Sequence, residues 1–135
     1  IVPVDYYFID PNTGNIHDSP FLDFAKLLQS LHGNYEFLMK VHSVKIEKDQ
    51  VHFLMAKSEA YANIYKKYQA YLKTNFSSNE VLSIYYHEVI HWLRLMPYKI
   101  QKNEKLAVVF YTGMLSVLED VWEMEHFEEE KIGNF

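Results

Sequence analysis

The sequence predicts an α+β protein, because strand-like segments come first along the chain and helix-like segments follow them. Apolar and polar residues alternate in parts of the first 56 positions, and the later positions carry helical periodicity with start and stop signals. The composition fits one globular domain over residues 1–135, since 49% of the residues are hydrophobic and 23% are charged.

The N-terminal third is expected to hold most of the strands. Residues 4–9 read as a strand, and the Asn- and Gly-containing stretch after them reads as a turn. Ser19 followed by Pro20 is typical of a helix start, and Gly33 of the helix end. This places one helix inside the strand-rich region.

Two further strands are predicted at residues 35–46 and 51–56, joined by a turn over residues 47–50. Val44 and Ile46 in the first segment, and Val51 and Phe53 in the second, alternate with polar neighbours. We therefore expect a small N-terminal antiparallel sheet packed on three or four helices.

Three helices are predicted after the hairpin. Ser58 would cap the first, over residues 59–75, and the Ser77–Glu80 stretch is a capping box for the second. The second should end near Met96, because Pro97 lacks the N–H that continues a helix. The third is expected to begin after Asn103 and to run to about residue 131.

Charge and cysteine content narrow the class of protein. A net charge of −5 argues against a nucleic-acid partner held by a basic surface, and the absence of cysteine excludes disulfides and thiolate metal ligands. No apolar run is long enough to cross a membrane, so we expect a cytoplasmic protein. Because the chain starts at Ile1, we expect a domain excised from a longer protein, with a possible partner domain beside it.

The sequence His87-Glu88-Val89-Ile90-His91 carries the strongest chemical signal. Two histidines four positions apart on a helix lie one turn from each other, so both can bind one Zn²⁺. Glu88, next to the first histidine, could act as general base on a metal-bound water. The histidines lie opposite the apolar stripe of the helix, which favours a cleft-facing or solvent-facing pair over a buried one.

A third zinc ligand is predicted on the last helix. Glu119, Glu123 and His126 share one helical face, and Glu119 could complete the site while Glu123 orients a ligand histidine. Asp120, Glu123 and His126 remain alternatives to Glu119 as the ligand.

These residues resemble the zincin metallopeptidases, and HEVIH with its uncharged flanks resembles their extended motif. Leu118-Glu119-Asp120-Val121-Trp122-Glu123 is similar to the gluzincin pattern, and more loosely to metallopeptidase-like domains of bacterial and phage proteins that carry von Willebrand A-type modules. The resemblance covers about residues 80–125. It implies a zincin-like fold, Zn²⁺ bound by His87, His91 and Glu119, Glu88 as catalytic base, and a peptide or protein substrate. Arg94 stands where metzincins have Gly, which excludes that branch.

Other interpretations of the same residues stay open. The metal site could be structural, the histidines could simply be exposed, or the domain could be a non-catalytic protein-interaction module. Glu88-x-x-His91 and Glu123-x-x-His126 also fit a di-iron carboxylate pattern, with Glu36 and Glu59 as further ligands. The remaining histidines show no ligand spacing and are expected to be ordinary surface or strand residues, and the tyrosines of residues 59–75 are expected to pack.

Overall fold

The computed structural model describes residues 20–133, with side chains described through residue 127. In this range the chain is mostly helical with one small antiparallel sheet, in agreement with the α+β class. The elements in chain order are α1 (Pro20–Leu31), α2 (Tyr35–Met39), β1 (Val44–Glu47), β2 (Gln50–Phe53), α3 (Glu59–Asn75), α4 (Ser78–Lys102) and α5 (Glu104–Gly133). The strand predicted at 4–9, the turn after it and Ser19 lie outside the described residues.

Local capping chemistry sets the helix starts where the sequence predicts them. The Ser58 side chain accepts a hydrogen bond from the Tyr61 backbone N–H at the start of α3. Ser77 and Glu80 form the reciprocal capping box of α4, with distances of 3.0 and 3.2 Å. Asn103 caps α5 by accepting from the Lys105 N–H at 2.9 Å. The three predicted helix starts are therefore confirmed.

The hairpin is confirmed, but it is shorter than predicted. Val44 pairs with Phe53 and Glu47 pairs with Gln50, so the predicted turn joins β1 and β2. Lys48 adopts φ 54, a left-handed backbone that lets the chain reverse without glycine.

The strand predicted from residue 35 is wrong over residues 35–43, because the first five of these positions form α2 and the next four lie outside any strand. Asn34 adopts φ 60 after the end of α1 and redirects the chain into a single helical turn. This turn buries Leu38 and brings Tyr35 against the core, so tertiary burial outweighs the strand-like pattern.

The predicted end of α4 at Met96 is also wrong, because the helix continues through Pro97 to Lys102. Pro97 is exposed and removes one backbone hydrogen bond, the one that its N–H would give to the Leu93 carbonyl. The turn around it buries Met96 and Lys99, and this burial offsets the cost of the proline.

Helix α4 lies at the centre of the fold, packed on one side by α1 and on another by α5. Helix α2 and strand β2 rest against α5, and α3 contacts α1 and α4. The largest fully buried side chains include Trp92 of α4 and Phe110 of α5, whose rings lie 5.7 Å apart. Within residues 20–133 we find no helix with the length and hydropathy needed to cross a bilayer.

Candidate functional site

Glu88, the predicted catalytic base, is a core residue with 0% of its surface exposed. One carboxylate oxygen lies 2.7 Å from His32 Nδ1, and the other accepts a hydrogen bond from Trp92 Nε1 at 3.3 Å. Both oxygens are therefore engaged inside the protein.

His32 bridges two carboxylates from different helices. Its Nδ1 faces Glu88 of α4, and its Nε2 lies 2.9 Å from Asp120 Oδ2 of α5. The imidazole is 8% exposed while the Asp120 side chain is 51% exposed, so the cluster runs from the core to the surface. A protonated imidazole donates to both acids, and this Glu88–His32–Asp120 triad ties α1, α4 and α5 together.

The electrostatics of the triad favour a retained proton. Burial alone would lower the pKa of His32, but the hydrogen bonds and charges of Glu88 and Asp120 outweigh it and raise the pKa above 6.5. Burial raises the pKa of Glu88, and the His32 and Trp92 contacts offset this only in part. Both shifts mean that the folded chain holds protons in this cluster more tightly than an exposed His and Glu would.

Two tyrosines cover the buried end of the triad. The Tyr65 ring stacks on His32 with centroids 5.7 Å apart, and its hydroxyl lies 2.8 Å from the Tyr85 hydroxyl. Burial raises the pKa of both phenols, so both stay protonated at neutral pH. The packing role predicted for the tyrosines of α3 is confirmed at Tyr65 and at Tyr68, which donates a hydrogen bond to the Phe24 carbonyl.

His87 and His91 face α1 rather than a carboxylate. His87 donates through Nδ1 to the Ser83 carbonyl at 2.6 Å, and its ring lies edge-on to Phe21 of α1. His91 donates through Nε2 to the Leu22 carbonyl at 2.7 Å, which occupies one of its two possible ligand atoms.

The surroundings of His91 are cationic. Burial lowers its pKa, and the nearby charges of Lys26, Arg94 and His87 lower it further, while only the Leu22 carbonyl opposes the shift. A neutral imidazole is compatible with metal binding, but neighbouring positive charges are unfavourable for a second cation. Within the described residues, these positive charges are therefore unfavourable for a Zn²⁺ ion bound at His91.

The predicted third ligand does not meet the histidines. Glu119 is exposed on α5, and its neighbour Asp120 is bonded to His32 instead. Among the residues that the structure describes, no group of three or more His, Asp or Glu side chains could hold a metal ion. The same finding applies to the di-iron alternative, since its described candidate ligands form no such group either.

Sequence reasoning missed His32, which is neither a surface nor a strand residue but the central member of the triad. Its partners lie 56 and 88 positions away, and no local pattern carries that information. The position of Glu88 along α4 did indicate that its side chain would be buried. It falls three residues after Tyr85 and four before Trp92, within the apolar stripe of α4, where an acid needs a buried partner.

A second candidate site is an apolar surface on α4 and α5, here called the open face. Its six large side chains are between 39% and 59% exposed. They are Leu93 and Ile100 on α4 and Tyr111, Leu115, Leu118 and Trp122 on α5. The four on α5 follow i, i+4, i+7 and i+11 spacing, so they form one continuous stripe along the helix.

Helical phase puts the α4 and α5 members of the open face side by side. The two helices are joined by Asn103 alone and pack against each other as an antiparallel pair. On this side the Tyr86 hydroxyl donates to Glu125 across the pair. Seven residues make about two helical turns, and the two helices run in opposite directions. Counting seven residues forward along α4 and seven backward along α5 from this contact therefore places Leu93 beside Leu118, and a second such step places Ile100 beside Tyr111.

Contiguous exposed apolar surface is uncommon on monomeric proteins, and where it occurs it often marks an interaction site. Its composition is typical of interface centres, since Trp and Tyr are enriched there. The Trp122 ring also stacks on His126, with centroids 3.8 Å apart. The open face is therefore the surface feature best suited to binding.

Comparison with known proteins finds no matching family model, no matching curated protein and no matching solved structure.

Proposed function

We propose that this chain is a protein-interaction domain whose open face binds an amphipathic helix of a partner protein. The observation that carries the proposal is the exposed row of large apolar side chains along α5, extended sideways by Leu93 and Ile100 of α4. A helix that lies along two antiparallel helices buries its own apolar stripe between them, as in helix-in-groove recognition.

The charges beside the stripe indicate what kind of helix would bind. Glu119 and Glu123 flank it on α5, and both are exposed. On the other border, Ile90 and Pro97 of α4 carry no charge, and the nearest charged residue, Arg94, is basic. A partner helix with Lys or Arg along one flank and apolar residues at heptad spacing complements this arrangement.

Pro97 adds a polar feature to the same surface. Because it has no N–H, the carbonyl of Leu93 lacks its usual helical donor beside the apolar stripe. A donor side chain at the edge of the partner helix could satisfy this carbonyl and fix the register of binding.

The zincin-like fold and zinc peptidase activity implied by HEVIH are the competing hypothesis. The described residues favour our proposal over it, because Glu88 is enclosed by His32 and Trp92 while the histidines face α1. Elemental analysis of protein purified without a histidine tag tests it directly. One zinc per chain that is lost in His91→Ala would favour the metal site over our interpretation of these histidines.

The interaction proposal is tested with a synthetic helical peptide that carries Leu at heptad positions and Lys on one flank. Trp122 lies in the open face and Trp92 is fully buried, so a blue shift of tryptophan fluorescence reports burial of Trp122. We expect Leu118→Asp to weaken binding at least about tenfold, because burying one leucine contributes roughly 1.5–3 kcal/mol.

Leu27→Asp is the matched control, since Leu27 is an exposed leucine of α1 outside the open face. It should leave the affinity for the helical peptide unchanged. A peptide with Glu in place of Lys should bind more weakly. Equal binding of both peptides, or a dimer that Leu118→Asp dissociates in sedimentation equilibrium, would contradict the proposal of a basic partner helix.

A further inference from the structure

A groove of about 1010 Å³ lies between the hairpin, α2 and α5. Apolar side chains line it, among them Phe37 of α2 and Val51 and Phe53 of β2. Its charged lining is entirely basic, with Lys40 and Lys45, and His42 and His52 also contribute. The groove is distinct from the open face and from the Glu88–His32–Asp120 triad.

The charge of this region is opposite to that of the whole chain. Residues 40–57 hold four lysines and two acids, whereas the full chain has a net charge of −5. Lys45 is paired with Glu47 at 2.8 Å, but Lys40 has no ion pair among the described residues. A negatively charged ligand is therefore attracted to this groove and not to the surface in general.

The backbone at the groove offers unused hydrogen-bonding groups. The ladder ends at the Val44–Phe53 pair, and the chain from Leu54 to Lys57 stays non-helical without a backbone hydrogen bond to another described segment. Leu54 is 93% exposed beside it. Each strand of this two-stranded sheet has an outer edge without a partner strand among the described residues, so an extended chain laid along β2 and residues 54–57 could pair with backbone groups and cover Leu54.

We infer that this groove binds an acidic peptide in extended conformation, by addition to the edge of the hairpin. Lys40 would attract the acidic side chains, and apolar residues at alternate positions of the peptide would enter the groove beside Phe53. This goes beyond the helix-binding open face, because it names a second surface with opposite charge preference and a different backbone conformation.

The test uses fluorescence anisotropy of a fluorescein-labelled peptide in which Asp and Val alternate, added to the full chain. We expect saturable binding that weakens at least about tenfold in Lys40→Glu/Lys45→Glu, because two attractive charges become repulsive. The control Lys66→Glu/Lys67→Glu makes the same charge change on exposed residues of α3 and should alter the affinity by less than about twofold. Circular dichroism checks that both double variants remain folded.

Two results would overturn the inference. One is equally tight binding of a peptide with Lys in place of Asp. The other is an affinity that does not change in Lys40→Glu/Lys45→Glu. Loss of binding when the peptide backbone is N-methylated at alternate positions would support strand addition.

Discussion

Replacing Glu88 by Gln tests whether the Glu88 carboxylate has a structural or a catalytic role. The substitution keeps the shape and the acceptor for Trp92 but removes the negative charge that faces His32 at 2.7 Å. A hydrogen bond to a charged group contributes about 1.5–3 kcal/mol to stability. Part of this loss is offset, because the variant no longer has to bury a charged carboxylate. We expect the free energy of unfolding to fall by about 2 kcal/mol, as measured by urea denaturation followed by circular dichroism.

Glu119→Gln is the matched control, because it makes the same chemical change at an exposed position of α5. It should shift the free energy of unfolding by less than about 0.5 kcal/mol. A Glu88→Gln variant that is as stable as the parent would refute the assignment of Glu88 to a stabilising triad. Such behaviour is what an active-site acid with no structural role would show.

Two further predictions concern neighbouring parts of the same core. The pKa of His32 is raised in the folded state, so the stabilisation that it gives is complete below about pH 6.5 and is lost as the pH rises through the folded-state value. Urea titrations at increasing pH above about 6.5 should thus show a decline in stability that His32→Gln lacks, and equal slopes for both proteins would argue against a retained proton. Gly33→Ala should cost about 1–3 kcal/mol, because the added Cβ would lie 2.5 Å from Trp92 Cζ2 and 2.8 Å from the Gln29 carbonyl. Gly113→Ala meets only a movable leucine methyl at 2.6 Å and should cost less, so a reversed order in thermal unfolding would contradict this account of the packing.

The parts of the fold that depend on near neighbours could be predicted from the sequence. Ser58, Ser77 and Asn103 form their capping hydrogen bonds with residues at most three positions away, so the sequence alone predicts these caps. Pro97 misled the prediction because its local penalty is smaller than the burial gained by the turn around it.

The contacts of the candidate site were harder to predict from the sequence, because they depend on how the helices pack against one another. HEVIH specifies that two histidines share a helix face, and the structure agrees on this point. The motif does not specify that α1 would cover that face or that His32 would reach Glu88. The open face was also missed, since an exposed apolar stripe and a buried one have the same periodicity until the packing is known.

The connection through Asn103 alone has a kinetic consequence. Contacts between α4 and α5 link residues that are close along the chain, so this hairpin of helices can form early and needs little loop-closure entropy. The stripe from Tyr111 to Trp122 is then rigid before any partner arrives. Association would therefore lose little conformational freedom on this side, and a comparatively small contact could support a useful affinity.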